Sequence, residues 1–291
     1  SHPEELVERA SALGYTALAI TDECSMAGVV KAHIAAKRCQ LKLIIGNELT
    51  LEDGTKIILL AKNRQGYGEL CHIITLARRR AKKGQYQVTL KDFKGSTEHL
   101  IAIWIPQHQQ RLEPGGRPSA LKTLFGDRLW LGAVRALDGF DHVQTEDLKA
   151  IASAHTLPIV ACGDIQMHES NRKPLLDTLC AIRHGCSVQS AGRLLQSNAE
   201  RYLKTRAELT ELYPQQWLFN TRNIAEACTF SLDELRYEYP KELVPTHQTP
   251  ASYLSSLTWA GANQRWPDGI PDTVAVQIKK ELDLINELNY E

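Results

Sequence analysis

Two adjacent carboxylates, Asp22 and Glu23, stand where a short apolar run, Thr16-Ala-Leu-Ala-Ile20, gives way to a helical pattern. The same arrangement recurs twice. Leu41 to Ile45 runs into Gly46-Asn47-Glu48, and Leu157 to Ala161 runs into Cys162-Gly163-Asp164-Ile165-Gln166-Met167-His168. Short, β-rich, apolar runs of this kind read as strands covered on both faces, the pattern of parallel sheets. The carboxyl ends of such strands are where ligands and chemistry collect, on loops held by a rigid scaffold. Asp22, Glu48 and Asp164 could together hold one hard cation through oxygen ligands. Each acid also has a plain structural reading, because aspartate is an ordinary turn residue and helix cap, and a buried acid pairs readily with Lys or Arg.

The elements that would position these acids alternate. Helices are expected over residues 3 to 13, Met26 to Lys37, Gly66 to Arg80, Thr145 to Ala154 and Pro174 to His184. Strands are expected at Thr16 to Ile20, Leu41 to Leu51, Lys56 to Ala61, Leu100 to Ile105, Leu129 to Val134 and Leu157 to Ala161. Asp53-Gly54 marks a hairpin turn between the second and third strands. His108 to Pro118, with its glycines and prolines, predicts a loop. Alternation of this length argues for an α/β fold with right-handed crossovers, and acids far apart in sequence that meet at one rim favour a barrel over an open sheet. Ser1-His2-Pro3-Glu4 reads as a helix start, so a strand upstream of it is missing from this chain. The open edge this leaves predicts association there. After about residue 195 the patterns are helical only, over Ala199 to Leu212, Pro214 to Cys228, Ala251 to Trp266 and Pro271 to Leu288. A connector from Tyr239 to Pro250 separates the last two from the rest.

Composition narrows the function classes. Thirty-four basic and 34 acidic residues leave no net field to attract nucleic acid or an acidic membrane. The densest basic patch, Arg78-Arg79-Arg80-Ala81-Lys82-Lys83, has two readings: a solvated helix end suited to the helix dipole, or a phosphate-contacting surface. The seven cysteines form no paired motif, and reduced thiols in a cytoplasmic protein are the simplest account. Neither a membrane span nor a signal peptide is expected. His72 reads as a core or interface histidine.

A family resemblance rests on several stretches together. His2-Pro-Glu-Glu-Leu6, Ala17-Leu-Ala-Ile-Thr-Asp22, Ile45-Gly-Asn-Glu48, Lys62-Asn-Arg-Gln-Gly-Tyr-Gly-Glu-Leu-Cys71 and Val160-Ala-Cys-Gly-Asp164 resemble the amino-terminal part of bacterial C-family replicative polymerase α subunits. Ser231-Leu-Asp-Glu-Leu-Arg-Tyr-Glu-Tyr-Pro240 and Thr249-Pro-Ala-Ser-Tyr-Leu254 are most similar to its error-prone, damage-inducible branch. The resemblance implies a polymerase and histidinol phosphatase (PHP) domain. It would be a distorted (β/α)7 barrel whose first strand is missing here, followed by a helical annex. Residues 1–230 would be this barrel with its annex, and 231–291 a connector and the start of the polymerase palm.

Active members of that family hold a cluster of metal ions, and the resemblance carries only part of that site onto this chain. Asp22, Glu48 and Asp164 match family acids, but Glu23 stands where a histidine would be, and Gln166 replaces the histidine after Asp164, leaving His168 two residues further on. Trp104-Ile-Pro-Gln107 lies where a middle strand should end in a ligand. A neutral amide is a poor substitute for imidazole. The expectation is therefore a degraded metal site at Asp22, Glu48, Asp164 and His168, taking at most one Mg2+, Mn2+ or Zn2+, with no catalytic residue and no cofactor needed by this part. Its function would be that of a structural module of an error-prone DNA polymerase used in damage tolerance, translesion synthesis and induced mutagenesis. The implied partners are the rest of the polymerase chain, template-primer DNA with Mg2+, mutasome accessory proteins and a sliding clamp. DNA contact, if any, would fall on Arg78, Arg79, Arg80, Lys82 and Lys83. The alternative is a metal-dependent phosphoesterase or 3′–5′ proofreading exonuclease using bound hydroxide as nucleophile.

Overall fold

A computed structural model describes residues 1–95, 97–107, 110, 115–236 and 244–290. Six strands lie side by side in sequence order: β1 (Ala17–Ile20), β2 (Lys42–Thr50), β3 (Lys56–Ala61), β4 (Leu100–Ile105), β5 (Leu129–Val134) and β6 (Ile159–Cys162). β1 is parallel to β2, and β4, β5 and β6 are parallel to one another, while β3 runs antiparallel to both neighbours. The β2–β3 hairpin turns where Asp53-Gly54 places it. The Asp53 carboxylate accepts from the Thr55 amide at 3.0 Å, and Gly54 supplies the left-handed conformation with φ +79°.

Side-chain alternation divides the sheet into an inner and an outer face. Ala17 and Ala19, Ile44, Ile58 and Leu60, Ile101 and Ile103, Trp130, and Val160 with Cys162 contribute from all six strands to one apolar cluster. Gly46 stands in this layer because nothing larger fits: a Cβ there would lie 2.5 Å from Leu60 Cδ2 and 2.7 Å from the Leu59 carbonyl oxygen. The sheet is curled. Lys56 on β3 reaches Asp164 just beyond β6, 3.3 Å away, whereas strands three intervals apart in a flat sheet lie about 14 Å apart. The mixed α/β fold read from the sequence is therefore a curled six-stranded half-barrel.

Helices cover the outer face. α1 (Pro3–Ala12) and α2 (Val29–Cys39) pack Val7, Ala10, Ala32 and Ala35 against Ile20 and Leu41. α3 (Arg64–Arg79), α4 (Arg117–Phe125) and α5 (Asp141–His155) bury Leu70, Ile73, Leu121, Phe125, Leu148 and Ile151 with the outward residues Leu49, Leu59, Trp104 and Leu131. α6 (Lys173–Arg183), a four-residue α7 (Val188–Ala191) and α8 (Arg206–Leu212) follow β6. α9 (Gln215–Ala227) then covers the end of the half-barrel where β2 and β6 begin. Its Ile224 joins the inner cluster, its Asn220 donates to the Ile159 carbonyl at 2.7 Å, and Lys42 donates to the Ala225 carbonyl at 2.5 Å.

Three expectations change. The helix expected from Ala199 is only Arg206–Leu212, because Tyr202 forms a parallel bridge with Met167 and the Arg201 carbonyl accepts from the Gln166 and Met167 amides. The tail thus supplies an extended segment where none was expected. His72 is exposed, so of its two readings the core one falls. Pro118 lies in the first turn of α4 instead of ending a loop, since proline is tolerated there. Most of the expected loop, residues 108–109 and 111–114, lies outside the described residues, as do residues 237–243 of the connector.

The chain divides into two compact units, Ser1–Leu235 and Arg236–Glu291. The second contains α10 (Pro250–Arg265), capped by the Thr249 hydroxyl accepting from the Ser252 amide, and α11 (Asp272–Leu288). Among the described residues no helix is long and apolar enough to cross a membrane.

An ion-paired rim as the candidate functional site

The hairpin register builds the rim. Glu48 pairs with Ile58 and Thr50 with Lys56, so Glu48 and Lys56 are diagonal neighbours on the inner face. Lys56 Nζ lies 3.0 Å from Glu48 Oε1 and 3.3 Å from Asp164 Oδ1. The second oxygen of Asp164 is taken by Arg201 Nη1 at 2.9 Å. Asp164 itself adopts φ +47°, an uncommon conformation for a residue with a Cβ. All four side chains are less than a third exposed, at 17% for Lys56, 21% for Glu48, 15% for Asp164 and 27% for Arg201.

Burial opposes charge on both partners of the central pair. It is the largest influence on Glu48 and raises its pKa above the usual carboxylate value despite the facing ammonium. For Lys56, burial works downward, but the carboxylates of Asp164 and Glu48 together outweigh it and hold the ammonium above the ordinary lysine value. Cys162, the last residue of β6 and two positions before Asp164, is pushed up to about 12 by burial, so it is a neutral thiol at physiological pH.

The remaining candidate ligands serve elsewhere. Asp22 Oδ2 accepts from the Gly28 amide at 2.9 Å, and its backbone carbonyl accepts from Asn47 Nδ2 at 2.7 Å and from the Glu48 amide at 3.2 Å. Its carboxylate thus ties down the loop into α2. Glu23 forms a parallel bridge beside Glu48, but its carboxylate accepts from the Tyr86 hydroxyl at 2.8 Å and lies 4.0 Å from Arg183. His168 Nδ1 is 2.7 Å from the Ser1 hydroxyl and 3.7 Å from Glu5, next to α1. Among the described residues, no group of three or more His, Cys, Asp or Glu is arranged to hold a metal ion.

The basic cluster is divided in use. Arg78 Nε donates to the Cys24 carbonyl at 3.1 Å, Nη1 to Gln85 and Nη2 to Glu23 carbonyls, so this cation is built into the fold. Arg80 pairs with Asp92 at 2.6 Å. Arg79, Lys82 and Lys83 are exposed.

Residues 1–120 match the PHP domain. The PHP match is confined to that amino-terminal part of the chain. The chain's whole length is 47% identical over 291 residues to an error-prone DNA polymerase of Saccharophagus degradans, 49% over 308 residues to one of Bordetella parapertussis, and 47% over 292 residues to one of Methylococcus capsulatus. It covers 28%, 29% and 28% of those three proteins, their amino-terminal portion. The chain thus spans less than a third of the length of these relatives.

The metal cluster that the PHP resemblance implies does not fit the residues at this rim. A divalent ion needs carboxylate oxygens at about 2.0 to 2.2 Å. Here the two carboxylates that converge, Glu48 and Asp164, are already bridged by an ammonium, and the second oxygen of Asp164 is paired with a guanidinium. Lys56 and Arg201 are therefore the residues of this rim that sequence reasoning missed. Lys56 had a signal, because the Asp53-Gly54 turn fixes the hairpin register that sets it diagonal to Glu48. Arg201 had none, since it lies in the stretch whose pattern reads as helix.

Proposed function

We propose that this chain is the amino-terminal module of an error-prone DNA polymerase serving DNA damage tolerance, and that its PHP domain is structural rather than catalytic. The observation that carries the reading is Lys56 bridging Glu48 and Asp164 at 3.0 and 3.3 Å. Metal-assisted phosphoester hydrolysis needs cations that activate water and absorb phosphate charge. With the converging acids neutralised from within the chain, neither role has a holder. The rim instead joins β2, β3 and the segments after β6, which suits a part kept for shape. In the whole polymerase, template-primer DNA, Mg2+ at the synthesis site, accessory mutasome proteins and a sliding clamp would be engaged by the remainder of the protein. A cytoplasmic location accords with that role.

Hydrolysis of nitrophenyl phosphate and degradation of labelled single-stranded DNA from its 3′ end, each with Mg2+, Mn2+ or Zn2+, test the reading. The expected result is no turnover above a blank. Turnover that disappears in Glu48→Gln or Asp164→Asn would instead establish the phosphoesterase or exonuclease alternative.

A further inference from the structure

We infer that the Lys56 ammonium is the resident cation of this rim, a covalently tethered occupant of a cation site formed by Glu48 and Asp164, and that removing it opens that site to a free cation. The inference deepens the non-catalytic reading and rests on it.

Three observations carry it. First, Lys56 touches one oxygen of each carboxylate, at 3.0 and 3.3 Å, as a shared cation between two anions does. Second, those carboxylates come from parts of the chain 116 positions apart, Glu48 on β2 and Asp164 after β6, and Lys56 is what joins them. Two carboxylates this little exposed repel each other and lose hydration unless a cation sits between them. Third, Asp164 keeps its left-handed backbone, φ +47°, in delivering its carboxylate to the same place. A divalent ion about 2.1 Å from both oxygens would lie against the ammonium, so the two cations exclude each other. Arg201 holds the far oxygen of Asp164 and leaves the near one to Lys56.

The test uses the 291-residue chain with Mn2+ alone as one probe and propylammonium, matched for ionic strength against NaCl, as the other. Calorimetric titration and thermal unfolding are read for the parent chain, Lys56→Ala, Lys56→Arg and Lys56→Ala/Asp164→Asn. The parent and Lys56→Arg should show neither Mn2+ binding heat nor a shift in midpoint. Lys56→Ala should melt lower, and either cation should recover about 2–4 °C or more. The double variant should lose that response. If Lys56→Ala does not fold, Lys56→Gln, which keeps the stem without the charge, is read in the same way. A folded Lys56→Ala or Lys56→Gln chain that responds to neither cation, or a parent chain that responds as strongly, overturns the inference. Phosphoester turnover by the parent chain would overturn the non-catalytic reading, whereas the cation titration decides the role of Lys56.

Discussion

Arg78 and Tyr86 form one unit beside the end of β2, the guanidinium carbon lying 5.4 Å from the centre of the tyrosine ring. Tyr86 in turn accepts from the Thr50 amide at 3.0 Å and donates to Glu23 at 2.8 Å. Arg78 satisfies the carbonyls of Cys24, Glu23 and Gln85 from the same position. Arg78→Ala should therefore cost about 1–3 kcal/mol, since carbonyl acceptors in a partly buried loop lose a charged donor. Arg79→Ala should stay within about 0.5 kcal/mol. Urea unfolding of the two variants checks the contrast, and equal midpoints would contradict it.

The division within the basic cluster also sets the test of DNA contact. If the patch touches phosphates, Arg79, Lys82 and Lys83 are the members free of the internal roles seen for Arg78 and Arg80. Replacing all three by glutamate should weaken single-strand binding and flatten the plot of log affinity against log salt by about 2 units, near 0.7 per lost contact. Fluorescence anisotropy across a salt series reads both quantities. Unchanged affinity and slope would leave the patch as a solvated helix end.

Asn47 is fully buried, and its Nδ2 donates to the carbonyls of Asp22 at 2.7 Å and Ser25 at 3.1 Å. It is the peg that holds the loop between β1 and α2 against β2. Asn47→Leu is near in size but leaves both carbonyls without that donor, so a loss of about 2–4 kcal/mol is expected. Amide hydrogen exchange should quicken first in residues 21–28. Loss of protection spread evenly over the sheet would show that Asn47 supports the core rather than the loop.

The strand ends were legible in the sequence because short apolar runs meeting acids leave few alternatives, and Glu48 and Asp164 do converge as that pattern implies. Asp22 does not join them, because an aspartate before a helix can satisfy a backbone amide close by, and here it does so at Gly28. The cation between the acids was less legible. Lys56 follows from hairpin register, but its second partner is 108 residues away and depends on the curl of the whole sheet. Arg201 was hidden for a different reason. Residues 199–205 have helical composition, yet backbone bonding to Gln166 and Met167 holds them extended, and tertiary pairing overrides propensity.

Glu208 gives the chain a pH signature. The Thr205 and Tyr202 hydroxyls and the Thr205 amide converge on its carboxylate and lower its pKa from 4.5 to about 2. The Tyr202 hydroxyl and the Thr205 amide each donate at 2.6 Å. A depressed acid binds its proton more weakly in the folded state. Its contribution is therefore fully present above about pH 4.5 and is lost as pH falls toward 2. Glu208→Gln should narrow the difference in stability between pH 5 and pH 2, measured as roughly the same urea midpoint shift lost from the parent profile. Identical pH profiles for the two proteins would rule out a special role for this cap.

Where the first unit ends can be decided by truncation. Phe230 is buried and stacks on Tyr67 with ring centres 4.8 Å apart, so a chain stopped there places a new carboxylate on a core residue. Five more residues add Leu232 packed on the main core and a one-turn cap in which the Ser231 amide donates to Glu234 at 2.8 Å. They also add Asp233, which meets Lys37 at 3.0 Å and His33 at 3.2 Å. Half-burying a leucine and avoiding the misplaced terminus favour the longer chain by about 1–3 kcal/mol. Residues 1–235 should therefore unfold at higher urea than residues 1–230, with the same steepness of transition. Equal midpoints would put the functional boundary at 230 and make the last turn an appendage of the connector.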